Sequence, residues 1–274
     1  MTLSFRVSQK SHSAGVLRDL IKFFGAGVVS KPSKRNQVVE YSVRKFDDII
    51  FKIIPHFEAY SLVTSKQLNF ESFKEVALMV KNGEHLTVEG MNRIKELKAN
   101  MNTGRSFEDK FRCCWSRHPM DLKIDWVIGF LDGESSFYNR LSRRQKSGYE
   151  YIVTESSLKI SQNIHDVAVL LSIQRFFGDA GYLYPKLDDY ENWEALQERS
   201  NKVEYYNSKV TSFLPILDKY PLLTRKELDY LDFKRFLALK EAKAYKTEEG
   251  LKEMEKIILG MNSGRDGNSR RNST

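Results

Sequence analysis

The chain has 274 residues, 41% of them hydrophobic and 29% charged, which is enough for one or two packed domains. No apolar run approaches the roughly 18 residues of a membrane span. The two cysteines, Cys113 and Cys114, are adjacent, which argues against a disulfide framework and against a zinc site. The net charge of +8 points to a polyanionic partner. Nine of the Lys and Arg residues fall within residues 1–45 against only Asp19 and Glu40. That basic start has the composition of an organellar presequence, but the same pattern recurs later in the chain, so it reads as folded structure.

Hydrophobic periodicity predicts strands at about 3–9, 27–33 and 37–44 and helices at about 12–24, 46–58, 65–82 and 87–101. Residues 104–123 are polar and mixed in charge and read as a linker. A helix is predicted over about 122–134, then strands near 136–145 and 151–162, a helix over 164–177, strands near 181–186 and 202–208, and helices over 209–219, 225–244 and 247–261. The Gly/Asn/Ser/Arg-rich end reads as a disordered tail. The resulting boundaries are a first repeat at 1–103, a linker at 104–121, a second repeat at 122–262 and a tail at 263–274.

The order repeats because the sequence does. Phe5–Gly25 and Leu158–Gly178 share 8 of 21 residues at an offset of 153, including Ser8/Ser161, Gln9/Gln162, His12/His165 and a Phe-Phe-Gly triplet. Val39-Glu40-Tyr41 matches Val203-Glu204-Tyr205. Tyr60–Arg105 and Tyr220–Arg265 share 14 of 46 residues at an offset of 160, among them Thr64/Thr224 and Lys66/Lys226. Two halves on one plan fit a pseudo-symmetric polyanion such as duplex DNA.

One stretch has no counterpart. Asp125–Phe137, D-W-V-I-G-F-L-D-G-E-S-S-F, is an apolar helix with Gly129 and Gly133 on one face, where a second backbone could approach closely. It ends in Asp132 and Glu134, a place for a divalent cation with oxygen ligands. Periodicity alone favours a buried helix with a solvated acidic end.

This stretch resembles the signature helix of the LAGLIDADG homing endonucleases. The Ser-Gln strand end, the Phe-Phe-Gly, the Tyr-Pro-Leu-Leu-Thr-Arg-Lys and the closing Met-Asn-Ser-Gly-Arg are similar to that family too, in particular to its monomeric two-repeat members from organellar introns. The resemblance implies an α+β fold of two pseudo-symmetric αββαββα subdomains whose antiparallel sheets form a saddle on the DNA major groove. It implies site-specific cleavage of double-stranded DNA with Mg²⁺, a chain acting as a monomer, and expression in the mitochondrion or, as the alternative, the chloroplast. Glu134 matches the metal-binding catalytic acid and Asp132 the acid at the helix end. Gln162 and Gln9 match the polar residue that orients water or metal ligands. Lys226 and Lys66 match the lysine at the scissile phosphate. Tyr138, Arg140, Arg143, Arg144, Gln145, Lys146 and Lys159 of the second half, with Arg6, Lys31, Lys34, Arg35 and Arg44 of the first, are the expected DNA contacts. Each of these also has a structural reading, as a solvated strand face, an exposed charge or, for the glutamines, a helix cap.

Two departures matter. The offset of 153 places the first signature helix before Met1, so the first repeat is expected to lack that helix and its first strand. A start in an upstream exon, a decaying copy and pairing of two chains each account for it. Ser135 stands where the family has glycine, which predicts strain as the chain leaves the helix. The alternatives to an endonuclease are a maturase bound to its host intron RNA and a non-catalytic DNA-binding remnant.

Overall fold

A computed structural model describes residues 2–186 and 190–266. The chain divides into two compact units. The first comprises residues 1–119, 164–169 and 190–201; the second comprises 120–163, 170–189 and 202–274.

In the first unit, β1 (Phe5–Lys10) leads through a tight turn into α1 (Ala14–Phe24), then β2 (Val28–Val29) and β3 (Val38–Val43). The sheet is antiparallel in the order β1-β3-β2, with Gln9 opposite Val39 and Phe5 opposite Val43. Alternation sends Val39, Tyr41 and Val43 inward, where they meet Leu17 of α1 and Ile49 and Ile53 of the next helix. That helix, α2 (46–59), contains one widened turn at Ile49–Ile53. It is followed by α3 (Lys66–Lys81) and α4 (Val88–Ala99). The strand expected over 27–33 shrinks to two residues, with Pro32 in the loop beyond it, unable to donate to a ladder.

The stretch read as a polar linker carries a helix, α5 (Phe107–Trp115), started by Ser106, whose hydroxyl accepts from the Asp109 amide. Its apolar face, Phe111 and Cys114, is buried. Cys114 donates to Asp166, which also accepts from the amide of Ser65 at 2.8 Å. Burial, and then the Asp166 carboxylate beside it, pushes the Cys114 thiol far above the usual range, so it is a structural donor.

In the second unit, α6 (Ile124–Glu134) runs directly into β4 (Ser135–Lys146), which pairs along its whole length with β5 (Tyr149–Asn163). The hairpin closes on Ser147-Gly148, both at positive φ (51° and 81°), the conformation that matches the twist of the two strands. α7 (Val167–Phe176), β6 (Tyr182–Tyr184), α8 (Trp193–Arg199) and β7 (Lys202–Asn207) follow. Of these, α8 groups with the first unit. The four-stranded antiparallel sheet has the order β4-β5-β7-β6. Phe137, Leu158, Ile160, Val203 and Tyr205 are buried, as are Tyr230, Phe233 and Phe236 of α10 (Lys226–Glu241), which follows α9 (Leu214–Lys219) and precedes α11 (Glu248–Gly260). A short helical turn, Asn262–Asp266, closes the described chain; the rest of the expected tail, 267–274, lies outside the described residues.

Ser135 corrects one expectation. It leaves α6 in extended conformation (φ −81°, ψ 165°), and its hydroxyl donates to the Leu131 carbonyl at 2.6 Å. No left-handed turn is formed, so no glycine is needed and no strain is stored there.

Candidate active site and nucleic-acid face

The two acids at the end of α6 have different environments. Asp132 is buried, and its carboxylate accepts from the amides of Leu223 (2.8 Å) and Thr224 (3.1 Å) and from the Thr224 hydroxyl (2.5 Å). It thereby ties the end of α6 to the start of α10. Glu134 is exposed. It sits at the negative end of the helix dipole, where a bound cation is favoured.

Lys226, the first residue of α10, reaches back to the Leu131 carbonyl at 3.2 Å. Burial lowers its pKa, opposed by the charges of Asp132, Glu134 and Asp229, so the ammonium lies among three carboxylates. Gln162 lies on β5 opposite Val203, two residues beyond the Ile160–Ser135 pair where β4 begins. The register therefore puts it beside the point at which α6 ends. In the first unit, Gln9 holds the matching place on β1, and Lys66 is exposed at the first turn of α3.

Gly129 and Gly133 are exposed, and a Cβ added to either would meet nothing within 4 Å among the described residues. Beside these glycines Trp126 and Phe130 stack at 4.7 Å.

Strand register sorts the expected DNA contacts. Tyr138, Arg140, Arg144 and Lys146 alternate on one face of β4, and Lys159 of β5 shares it. Tyr182, Tyr184, Glu204 and Tyr206 of β6 and β7 continue that face. Arg143 and Gln145 have the parity of buried Phe137 and so belong to the opposite face, because the ladder has no bulge between them. In the first unit Arg6 stands on the outer face of β1, Lys31, Lys34 and Arg35 are exposed on the β2–β3 loop, and Arg44 is exposed just past β3.

Sequence reasoning gave Glu204 no role, although its triplet repeats. The Glu204 carboxylate accepts from the Tyr206 hydroxyl (2.6 Å) and the Ser161 hydroxyl (3.2 Å) and pairs with Lys159 (2.9 Å) and Lys202 (2.8 Å). Burial would raise its pKa, but the bonds from Lys202, Tyr206 and Lys159 together outweigh that and hold it at about 2.

The metal implied by the resemblance can be tested against these donors. Asp132 has its oxygens engaged by backbone and hydroxyl donors, which leaves Glu134 as the acid able to ligate. Among the described residues there is no group of three His, Cys, Asp or Glu side chains able to cage an ion. One free carboxylate completed by waters and substrate phosphates is a set that Mg²⁺ accepts, whereas Zn²⁺ and Ca²⁺ sites call on more protein ligands. The residues fit.

A duplicated α+β unit whose sheets turn a polar, cation-bearing face outward, with an acid-ended helix leading into the second sheet, defines the homing-endonuclease class of fold. The model of the LAGLIDADG endonuclease family matches residues 1–77 and 127–237, and the chain belongs to that family. It is 29% identical over 269 residues to "Probable intron-encoded endonuclease 3" of Neurospora crassa, covering 94% of this chain and 48% of that protein. It is 28% identical over 188 residues to "Probable intron-encoded DNA endonuclease 1" of Mycosarcoma maydis, covering 60% of this chain and 65% of that protein. The chain thus spans about half the length of the Neurospora relative. Among solved structures, the I-LtrWI LAGLIDADG homing endonuclease bound to target DNA superposes with a TM-score of 0.79 at 26% identity, over 96% of this chain and 88% of that one. The I-SmaMI enzyme bound to cleaved DNA gives 0.77 at 25% identity, over 96% and 87%.

Proposed function

We propose that this chain is a site-specific double-strand DNA endonuclease that hydrolyses phosphodiester bonds with Mg²⁺. The observation that carries the reading is the division of labour between Asp132, committed to the Leu223 and Thr224 amides, and Glu134, exposed next to half-buried Lys226. A divalent cation held by Glu134 would supply water activation and neutralise charge on the scissile phosphate. Lys226, fixed through the Leu131 carbonyl, would donate to a phosphate oxygen. Gln162, beside the helix end, would orient water or a metal ligand, and Gln9 and Lys66 would do the same work for the first half. Tyr138, Arg140, Arg144, Lys146 and Lys159, with Arg6, Lys31, Lys34, Arg35 and Arg44, would hold the duplex, the strand residues in the major groove. Two of the matched relatives are named as intron-encoded, which supports intron homing as the role; the mitochondrion as the place rests on the family resemblance. The solved relatives named as bound to target or cleaved DNA support a duplex partner.

The test uses the full chain. A target is first selected from randomised duplexes, then incubated with Mg²⁺ or with EDTA. Cleavage is expected with Mg²⁺ only, and Glu134→Gln is expected to bind the selected duplex but leave it uncut. Retained cleavage by Glu134→Gln would sink the assignment. Tight binding to the host intron RNA without cutting of intronless DNA would favour the maturase reading instead.

A further inference from the structure

The two halves share an ion pair that the cleavage site does not use. In the second unit, Lys159 lies two residues before Ser161, and Ser161 is directly opposite Glu204. The Lys159 ammonium reaches diagonally to Glu204 at 2.9 Å. In the first unit, Arg6 lies two residues before Ser8 and Ser8 is directly opposite Glu40, but Arg6 stands on an edge strand, donates its Nε proton to Ser4 at 2.8 Å and lies 3.8 Å from Glu40, so the arrangement is looser there. The serine and the glutamate are identical in the two copies, and the cation changes only from Arg to Lys. Opposite the cation the residue changes freely, Ser42 in one half and Tyr206 in the other.

A carboxylate on a surface meant for a polyanion is unfavourable unless it organises something. Glu204 has no acceptor capacity to spare, since its two oxygens already serve four donors. Its effect falls on Lys159, whose ammonium it fixes 5.0 Å above the Tyr206 ring, leaving the side chain only 29% exposed. Lys159 stands on β5, an inner strand of its sheet. A cation there, standing perpendicular to the sheet, addresses the groove floor, whereas cations on loops address the phosphates. Arg or Lys on guanine O6 and N7 is the commonest specific contact in the major groove. A surface ion pair that merely joined two strands would contribute little to stability and would leave base preference untouched.

We infer that Lys159 is a specificity-determining residue that reads a guanine in its half of the target, and that Glu204 is the positioning residue that aims it. The inference rests on the proposed function, because it requires the outer sheet faces to enter the groove.

The experiment is selection from randomised duplexes by the full chain and by Glu204→Gln, Glu40→Gln and Lys159→Gln, with far-UV circular dichroism to check folding. The natural chain is expected to enrich a guanine at the position that Lys159 reads. Glu204→Gln and Lys159→Gln should both lose preference at the same position, by about 5- to 100-fold. Glu40→Gln should keep it, because Arg6 is held by Ser4 and Lys159 is aimed by Glu204, not Glu40. Affinity of the two Glu→Gln variants for random duplex should hold or rise, since each removes a negative charge. If Glu204→Gln and Lys159→Gln enrich the same sequences as the natural chain, the inference is overturned and the nuclease reading stands. If the natural chain enriches no sequence, both fall. Should Glu204→Gln not fold, Lys159→Gln decides alone: loss of the guanine supports the inference and its retention overturns it.

Discussion

Replacing Asp132 with alanine separates the stabilising acid of α6 from the exposed one. The substitution removes the acceptor for three donors: the Leu223 amide, the Thr224 amide and the Thr224 hydroxyl. Leu223 is exposed, so its amide recovers a water at little cost. Thr224 is half-buried, and its amide and hydroxyl are left short. Losing hydrogen bonds to a charged acceptor costs about 1.5–3 kcal/mol, and this includes the partly buried Thr224 donors left unsatisfied. The expected loss is about 1.5–3 kcal/mol, or roughly 5–10 °C in Tm for a unit of this size. Asp132→Asn keeps one acceptor oxygen and should fall between. Urea unfolding and thermal melting at pH 7 measure it. A loss below about 0.5 kcal/mol for Asp132→Ala would refute the reasoning, since it would mean that water replaces the carboxylate at every donor.

Glu134→Gln, by contrast, should leave stability within about 0.5 kcal/mol, as an exposed substitution away from the core, while removing Mg²⁺-dependent cleavage in the assay above. Gly181→Ala should cost about 2 kcal/mol or more, read by urea unfolding: its φ is +87° and the new Cβ would lie 2.4 Å from the Tyr206 carbonyl oxygen. Tyr205→Phe should cost about 1–2 kcal/mol, because the buried hydroxyl donates to the Ala180 carbonyl at 2.6 Å, and Tyr41→Phe should cost a similar amount through Ala26. Glu204 makes stability pH-dependent. Its folded pKa of about 2 lies below the ordinary value of 4.5, so its contribution is complete above pH 4.5 and is lost as pH falls towards 2. After solvent screening that contribution is on the order of 1 kcal/mol. The gap in urea stability between the natural chain and Glu204→Gln should therefore narrow between pH 4.5 and 2; a constant gap would contradict it.

Much of this fold was legible because it was written twice. Alternation in Phe5–Lys10 and Leu158–Asn163, and helices ending at Gly25 and Gly178, carry the strand–helix order in the residues themselves. α5 was hidden by its composition: Phe107–Trp115 mixes four charges with Cys and Trp, and charge masked the helical face. Ser106 followed by Asp109 was the available signal, a helix start of the kind that also precedes α4 and α11 with Thr87 and Thr247. The roles of the acids were less readable. Asp132 and Glu134 are two residues apart and chemically alike; only the distant amides of Leu223 and Thr224 tell them apart. The parity of Arg143 required a register, and a register depends on where β4 begins. Asp166 could not be read at all, since its partner Ser65 lies 101 residues earlier.

That last bond has a consequence for how the protein is made. The first compact unit is not contiguous in sequence: it needs residues 164–169, which bring Asp166, and residues 190–201. A ribosome that has finished Pro119 must add 82 more residues (201 − 119) before the unit has all its parts. At about 5–20 residues per second that takes roughly 4–16 s. Throughout that interval the nascent first half holds the start of α3 and the buried Cys114 without their shared carboxylate. Its completion thus waits on residues that the second repeat supplies.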